Sequence, residues 1–551
     1  MLYRFDPASI LILDRLDQVL ARLDNGPALS TNPSVTTGAL GPDTAAHVST
    51  AAGGPLGEEQ YSYDQLRIPS RQTTPDAILA WPIFQHRWPD NFTTDPLFDA
   101  ELSDGETEDA GFRSNVSSPT GSINEEQIPA LIQIFLRHVH SKNPVLDAES
   151  LSLQARHISE EGIKWDAVSC LVVLACALGC VAKPFSNEAW DSQCTSIERD
   201  SESLQHGEAY YACARKRFGL LKPGIIATQC HFLAGVYLMY TMRPLSAWQQ
   251  FRSASTSYRL YLDYQSRRRT RRATVPVSTK QRSQEQSLYW SCYKSECEFR
   301  IEMNLPDSCL ADVRYPDLHP LPPCTDPASP VDDRSNAGNT SLSVSKVLGR
   351  QEQENSWFYY LTEITLRRIC NSVLNTFYTI DYKEWDDERI PYMARAAIEF
   401  EQQLQDWYDG LPLPLQYESD RMPSEELSWC SRARELEIRL QIYQPFLYFA
   451  IHQLHSSSCS STVLPLAEKA LFYCFTIIDA LPTRHRHHGS WYATRCNVSA
   501  SLLILAAVKC ESVSVRSDWH SLVSYNVKKL AYWEAEAPGL PEGLQVIRSY
   551  L

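Results

Sequence analysis

The chain has 551 residues, 43% of them hydrophobic, and a formal net charge of −15 from 51 basic and 66 acidic side chains. An acidic excess of this size repels phosphate backbones unless basic residues are segregated, so it argues against bulk nucleic-acid binding. The 16 cysteines include no C-x-x-C pair, which argues against structural zinc sites and predicts buried thiols in a reducing compartment.

The first predicted element, in residues 1–25, is a short amphipathic helix with Asp6 as a candidate N-cap and Pro7 at the first helical position. Its leucines alternate at spacings of three and four, which makes a two-heptad seam and a candidate dimerisation element: Leu13, Leu16, Leu20 and Leu23. A convincing coiled coil needs about three or four heptads, so a helix that packs on its own domain is the alternative.

Residues 26–122 are predicted to form a largely disordered linker, because they are rich in small and polar residues and have no sustained apolar period. Within the linker, Trp81, Phe84, Trp88, Phe92 and Phe98 are mixed with or followed by acidic residues. Acidic residues keep such aromatics solvated and available to a partner, as in acidic activation segments. The alternative is that Trp81 and Phe84 dock this segment on the main domain.

Residues 123–551 are predicted to form one large all-α domain, because helical apolar periods follow one another and strand-like alternation is scarce. Loops are predicted at about 265–285 and 319–355. The most apolar run, residues 167–182, falls short of the roughly 18 to 20 residues that span a bilayer. It is therefore interpreted as a buried helix, and no membrane partner is expected.

The strongest charge signal is the run "RRRTRRATVPVSTKQR" (267–282), which contains seven basic residues and no acid. These are Arg267, Arg268, Arg269, Arg271, Arg272, Lys280 and Arg282. A segregated and exposed basic cluster in an acidic protein favours nuclear import by an acidic receptor groove or contact with phosphate. A solvated loop without a receptor is the alternative.

The stretch "QSLYWSCYKSECEFRIEMNLP" (286–306) contains two cysteines and three glutamates close together, residue types that metal sites and acid/base sites use. On a helix, Cys292 and Cys297 point about 140° apart and cannot share a metal ion. Glu298 and Glu302 share a face, but two carboxylates on one helix are commonly solvated, and Lys294 is spaced for an exposed ion pair with Glu298. The helix is apolar on two faces, which predicts that it lies inside a helical assembly.

No other stretch requires catalysis, since glycine-rich phosphate loops, nucleophile elbows and H-E-x-x-H are absent. His485, His487 and His488 are expected in a solvated basic loop. "DYKEWDDER" (381–389) is the nearest approach to the aspartate-rich metal motifs of a terpenoid-type helical enzyme, but a partner motif is missing. We therefore expect no enzyme and assign no catalytic, cofactor-binding or metal-binding residue.

Two strings, "YTMRPLSAWQQFRSASTSYRLYL" (240–262) and "LYWSCYKSECEFRIEMNLPDS" (288–308), resemble the middle homology region of fungal-specific zinc binuclear cluster transcription factors. In that family an R-P-x-x-A-W helix precedes an L-Y-W-S-C-x-K-S-E-C-E helix closed by L-P. The matching residues are Arg243, Pro244, Ala247, Trp248, Leu288, Tyr289, Trp290, Ser291, Cys292, Lys294, Ser295, Glu296, Cys297, Glu298, Leu305 and Pro306. The similarity extends more loosely over about residues 75–551.

The resemblance implies a nuclear regulator of transcription whose helical domain controls a metabolic or secondary-metabolite gene cluster. It also implies other transcription proteins as partners, in a homodimer or a heterodimer.

Family members usually carry an N-terminal six-cysteine cluster with two zinc ions, whereas the first cysteine here is Cys170. Either the gene model lacks its first exon or the protein is a truncated regulator. Zinc binding is expected only if an upstream six-cysteine module exists. Contact with DNA is expected only through that module or through a partner protein. The alternative function is a cytosolic or nuclear scaffold or inhibitor that dimerises with a DNA-binding partner through residues 6–24.

Overall fold

The protein is built from α-helices and short 3-10 helices, and the part of the chain described by the computed structural model contains no strand. This confirms the predicted all-α fold class. The described residues are 72–85, 123–186, 197–271, 279–303, 340–454, 459–480, 484–510 and 512–551, with the isolated positions 93, 305, 306, 308 and 310.

Fifteen α-helices lie within these ranges and are numbered in chain order. The first half contains α1 (Pro75–Leu79), α2 (Ile128–His138), α3 (Ala148–Glu161), α4 (Ala167–Val181), α5 (Ile197–Arg215), α6 (Ile225–Tyr240), α7 (Pro244–Arg271) and α8 (Thr279–Glu302). The second half contains α9 (Thr340–Phe377), α10 (Ile390–Asp409), α11 (Glu426–His452), α12 (Ser460–Ala480), α13 (Ser490–Cys510), α14 (Trp519–Leu530) and α15 (Leu540–Arg548).

Several of these helices begin at residues that favour a helix N-terminus. The Asp147 and Asp166 side chains accept hydrogen bonds from the Ser150 and Ser169 amides, each at 2.7 Å, and so cap α3 and α4. Pro244 begins α7, where its missing amide hydrogen has no cost. The tight turn between α6 and α7 is made by Met242 with a φ of 55°, a left-handed conformation that is unfavourable for a residue with a side chain.

Helix α4 is the central helix of the first half, as expected for the apolar run 167–182. It packs against α2, α5 and α6, and nearly all of its residues are buried. Gly179 permits the closest approach, because a Cβ atom there would lie 2.3 Å from the Leu131 carbonyl oxygen of α2. Close backbone contact of this kind requires glycine.

The second half is centred on α11, which packs against α9 and α12, while α12 packs against α13. By length and composition, α12 and α13 are each apolar enough to cross a membrane, and 44% and 72% of their most apolar windows are buried inside the protein. Core helices of large helical domains have the same composition, so these properties by themselves do not argue for a membrane span.

Both predicted loops are shorter than the sequence suggested. Helix α7 continues to Arg271 and α8 begins at Thr279, so most of the 265–285 stretch is helical. Helix α9 begins at Thr340, inside the predicted 319–355 loop. Residues 265–285 and 340–355 are rich in polar residues, a composition that loops and helices can share, and for that reason the predicted boundaries were wrong.

Residues 72–85, which the sequence predicts to be part of the linker, pack on the helical domain. The Trp81 and Phe84 side chains are each only 1% exposed, and the Trp81 ring lies 5.0 Å from the Tyr448 ring and 5.8 Å from the His452 ring of α11. The Ile83 amide donates to His452 Nε2, 3.3 Å away. Of the two interpretations of these aromatics, docking is therefore the correct one for Trp81 and Phe84.

The other aromatics and acids of the proposed activation segment, including Trp88, Phe92 and Phe98, lie outside the described residues.

Replacing Trp81 by alanine is expected to destabilise the protein by about 3 to 5 kcal/mol, because a fully buried indole is lost and a cavity is left against α11. Chemical denaturation followed by circular dichroism measures the change. The matched control is Trp165→Ala, since Trp165 is 66% exposed and only stacks under Arg217; this change should cost less than about 1 kcal/mol. A Trp81→Ala variant that unfolds at the wild-type midpoint would show that the docked segment does not contribute to stability.

Candidate functional site

The basic cluster lies at one end of the α7–α8 pair. Tyr258 donates to the Glu285 carbonyl at 2.9 Å and Tyr261 donates to the Glu285 carboxylate at 2.6 Å, so the end of α7 is held beside the start of α8. Beyond this contact, Arg267, Arg268 and Arg282 are exposed. The helical ends therefore present basic side chains to solvent.

The remaining members of the predicted sites are described only in part or not at all. The backbone of Arg269, Arg271 and Lys280 belongs to α7 and α8, but their side chains are not described. Arg272 and the whole leucine seam lie outside the described residues: Leu13, Leu16, Leu20 and Leu23.

A buried charge cluster joins the two halves of the domain, and it contains three cations and three carboxylates from three helices. Helix α8 contributes Lys294 and Glu298, helix α9 contributes Glu363 and Arg367, and helix α11 contributes Arg434 and Glu437. The first four of these side chains are at most 7% exposed. We call these six residues the central charge cluster.

Glu298 is the hub of the central charge cluster, because its carboxylate binds the guanidinium groups of Arg367, at 3.0 Å, and of Arg434. Burial opposes the charge on this carboxylate, but Arg434 and then Arg367 outweigh that effect and hold the pKa of Glu298 below its ordinary value. Arg434 also reaches Glu437 at 2.8 Å. The ionised forms are thus mutually compensated in a water-poor interior.

The expectation of a solvated Glu298 with a local Lys294 partner was wrong. The nearest ion-pair partner of Lys294 is Glu363 of the neighbouring helix, with 3.9 Å between Nζ and Oε1. Sequence spacing reports only neighbours on the same helix, whereas these partners come from segments about 70 and 140 residues away. The available signal was the placement of charged residues inside apolar runs, as in "LTEITLRRIC" (361–370).

The histidine cluster is also buried, which corrects the predicted solvated loop. His485 and His487 are 8% and 7% exposed, and His485 lies 2.8 Å from the Glu426 carboxylate. The same carboxylate binds the ammonium group of Lys142, which is almost completely buried. This basic segment can lie in the core because Glu426 of α11 supplies the negative charge that the neighbouring sequence lacks.

Burial sets the protonation states in this region. Burial raises the pKa of an isolated carboxyl group, but Lys142 and then His485 hold the pKa of Glu426 well below its ordinary value. Burial and neighbouring cations hold the pKa values of His487 and His488 well below the ordinary range, so both imidazoles are neutral near pH 7. Within the described residues, no group of three or more histidines, cysteines or acids is arranged to hold a metal ion.

A small cavity lies where these polar groups meet the apolar core, and we call it the central cavity. Its volume is about 10 Å³, which is room for about one water molecule. Its lining includes the polar or charged residues Asn143, Lys294, Ser295, Glu298, His488 and Tyr492. It also includes the apolar residues Phe232, Val236, Met239, Phe251 and Phe299.

Of the thirteen described cysteines, seven are buried, as expected for thiols in the core, and six are half-buried. Cys292 and Cys297 occupy separate environments on α8, and burial raises the pKa of the Cys297 thiol to about 11. The amide of Asn371 on α9 lies 3.6 Å from the Cys297 sulfur. These thiols fill space between helices.

The acids of "DYKEWDDER" have local structural contacts. The Asp381 carboxylate accepts from the Lys383 amide at 2.9 Å and caps the 3-10 helix Tyr382–Glu384. The Asp386 carboxylate accepts from the Arg389 amide at 3.1 Å. Trp385, between them, is fully buried and donates to the Phe377 carbonyl at 3.0 Å. Capping explains these aspartates.

Comparison of the chain with protein-family models, with curated proteins and with solved structures gave no match. The resemblance to the fungal transcription factors therefore depends on the residues of the two strings, and the functional interpretation depends on the geometry of the domain.

Replacing Glu298 by glutamine is expected to destabilise the protein by about 3 to 5 kcal/mol, since two buried guanidinium groups would lose their shared counter-charge. The unfolding midpoint in denaturant measures the loss. Glu161→Gln is the control, because Glu161 pairs with Lys164 on the surface, where water screens the interaction. If both variants unfold at the wild-type midpoint, the central charge cluster does not hold the helices together.

Acidification should destabilise the protein partly through His140, whose Nε2 lies 3.1 Å from both the amide nitrogen and the carbonyl oxygen of Leu146. Burial lowers the pKa of His140 to about 4 from an ordinary value of 6.5. The unfolded chain therefore takes up the proton first, so the stabilisation is complete above pH 6.5 and is lost as the pH falls towards 4.

His140→Gln should reduce the pH dependence by on the order of 3 kcal/mol over this interval, as measured by denaturant unfolding at several pH values. An identical pH profile in the variant and the wild type would contradict the assignment.

Proposed function

We propose that this chain is a nuclear regulator of transcription of the fungal-specific type, and that its helical domain controls a metabolic or secondary-metabolite gene cluster. The observation that supports the proposal is the placement of the two strings that resemble the transcription factor family. They form neighbouring helices, α7 and α8, and Arg267, Arg268 and Arg282, in the stretch between the two strings, are exposed on an otherwise acidic protein.

The geometry of the resembling residues supports the proposal. Arg243 binds Glu208 of α5 at 2.9 Å and lies over the rings of Tyr211 and Tyr237. Lys294 and Glu298 belong to the central charge cluster. The residues that carry the resemblance are thus residues on which the packing of the domain depends.

Contact with DNA is proposed to come from a protein partner or from a module outside this sequence. The net charge of −15 opposes direct contact with a phosphate backbone. The basic cluster is proposed to bind an acidic groove of an import receptor, because clustered arginines complement carboxylates well.

Localisation of a tagged chain tests the proposal. We expect the wild type in the nucleus and a cytosolic distribution after alanine replacement of Arg267, Arg268, Arg269, Arg271 and Arg272. The control variant carries five alanine replacements of exposed cations elsewhere: Arg137, Arg156, Arg215, Lys216 and Lys528. This control variant loses five positive charges, as the test variant does, and should remain in the nucleus.

Cytosolic residence of the intact chain would contradict the proposal and favour a cytosolic scaffold. Loss of nuclear signal in both variants would show that total charge, and not the basic cluster, directs the chain.

A further inference from the structure

The last turns of α7 present a solvent-exposed face that is both apolar and basic. At 3.6 residues per turn, Leu260, Tyr264 and Arg267 lie within an arc of about 60° around the helix axis. Leu260 is 48% exposed, Tyr264 is 61% exposed, and the side chain of Arg267 is exposed as well. We call these three residues the outer face of α7.

The other side of the same turns is held by α8. Tyr258, which lies about 160° around the helix from Leu260, is fully buried and donates to the Glu285 carbonyl at 2.9 Å. The Tyr261 hydroxyl donates to the Glu285 carboxylate at 2.6 Å and accepts from the Gln281 amide at 3.2 Å. These contacts fix the end of α7 from behind, so the outer face is presented on a helix that the domain already orders.

The apolar members of the outer face are more than scattered exposed residues. Single exposed apolar side chains are ordinary on protein surfaces, so exposure by itself does not mark an interface. Among the large apolar side chains that are exposed in the described part of the chain, Leu260 and Tyr264 are the only two within four residues of each other. Arg267 follows them by one turn, which places two apolar groups directly beside the basic cluster.

Charge and polarity together favour an acidic protein as the partner. Arg267 and Arg268 outnumber the exposed Asp263 at the border of the outer face, and residues 267–282 contain no acid. Guanidinium groups pair well with carboxylates. Nucleic acids and anionic membranes would be repelled by the rest of a chain with a net charge of −15, and a phosphate backbone offers no apolar surface to Leu260. A protein groove with carboxylates beside an apolar pocket uses every member of the face.

We propose that an acidic protein groove binds the outer face of α7 as a helix, with Leu260 and Tyr264 in an apolar pocket and Arg267 and Arg268 on carboxylates. Anchors at spacings of four and seven residues are typical of a helix bound in a groove. The inference rests on the proposed function, because it specifies how the import receptor recognises the basic cluster. Recognition depends on a folded helix and two apolar anchors, and not on an extended run of basic residues.

Two measurements on the full chain test the proposal: its affinity for a purified nuclear import receptor that recognises basic signals, and the nuclear-to-cytosolic ratio of the tagged chain. The variant Leu260→Ala with Tyr264→Ala keeps every cation but should bind roughly tenfold more weakly, because two apolar contacts are lost, and its nuclear ratio should fall. The matched control is Leu153→Ala with Leu413→Ala, since these leucines are 59% and 81% exposed elsewhere on the domain. It should behave like the wild type.

A second variant separates recognition of a helix from recognition of an extended segment. Ser266→Pro interrupts α7 between Tyr264 and Arg267, because proline removes a helical hydrogen bond and its ring clashes with the preceding turn. Binding should weaken by at least about tenfold if the face is bound as a helix, and should be unchanged or tighter if the receptor takes an extended chain. Circular dichroism and the unfolding midpoint check that the domain is folded. The double alanine variant decides the question if Ser266→Pro does not fold.

Wild-type affinity and localisation in the double alanine variant would overturn the proposal, since the cations alone would then suffice, and would leave the proposed function intact. The proposal also fails if Leu260 and Tyr264 prove necessary only for binding to vesicles of anionic lipid or for self-association, because the partner would then be a membrane or a second copy of the chain. Cytosolic residence of a chain that binds the receptor through Leu260 and Tyr264 in vitro would contradict the proposed function and support this inference.

Discussion

The buried carboxylate of Glu298 is the interaction on which the rest of the structure depends. It lies between two arginines from two other helices, so α8, α9 and α11 can pack only in the register that brings these charges together. Apolar surfaces tolerate small shifts, but a buried guanidinium group that loses its carboxylate is strongly destabilising. The charges therefore specify an arrangement that the hydrophobic residues alone would leave open.

Pairing of buried charges also occurs in the first half of the domain. Lys142 follows α2 and binds Glu426 at the start of α11, and His485 binds the same carboxylate from the segment before α13. The two halves are thus joined by a polar interior and not only by an apolar one. A polar interior is sensitive to any group left without a partner, because a low dielectric raises the cost of an unpaired charge or dipole.

Much of the fold was predictable from local patterns. The apolar periods predicted helices throughout residues 123–551, and the apolar run 167–182 was correctly interpreted as a buried helix. The boundaries of α7, α8 and α9 were less predictable, because the sequences at these boundaries are rich in polar residues, a composition that loops share. For Trp81, two interpretations remained open, since an aromatic residue among polar ones has the same local signature whether or not a partner surface exists.

The sequence by itself determined that the protein is all-α, that its cysteines are not arranged as zinc-binding pairs, and that seven of its 51 basic residues form one run without an acid. Each of these properties depends on residues near each other in the chain. Only the tertiary structure decided which charges are buried, which histidines are neutral and which polar groups meet at a cavity. Glu298 and Arg434 are 136 residues apart, and His488 and Asn143 come from opposite halves of the domain. Their chemistry depends on desolvation and on partners from distant segments, and local sequence carries neither.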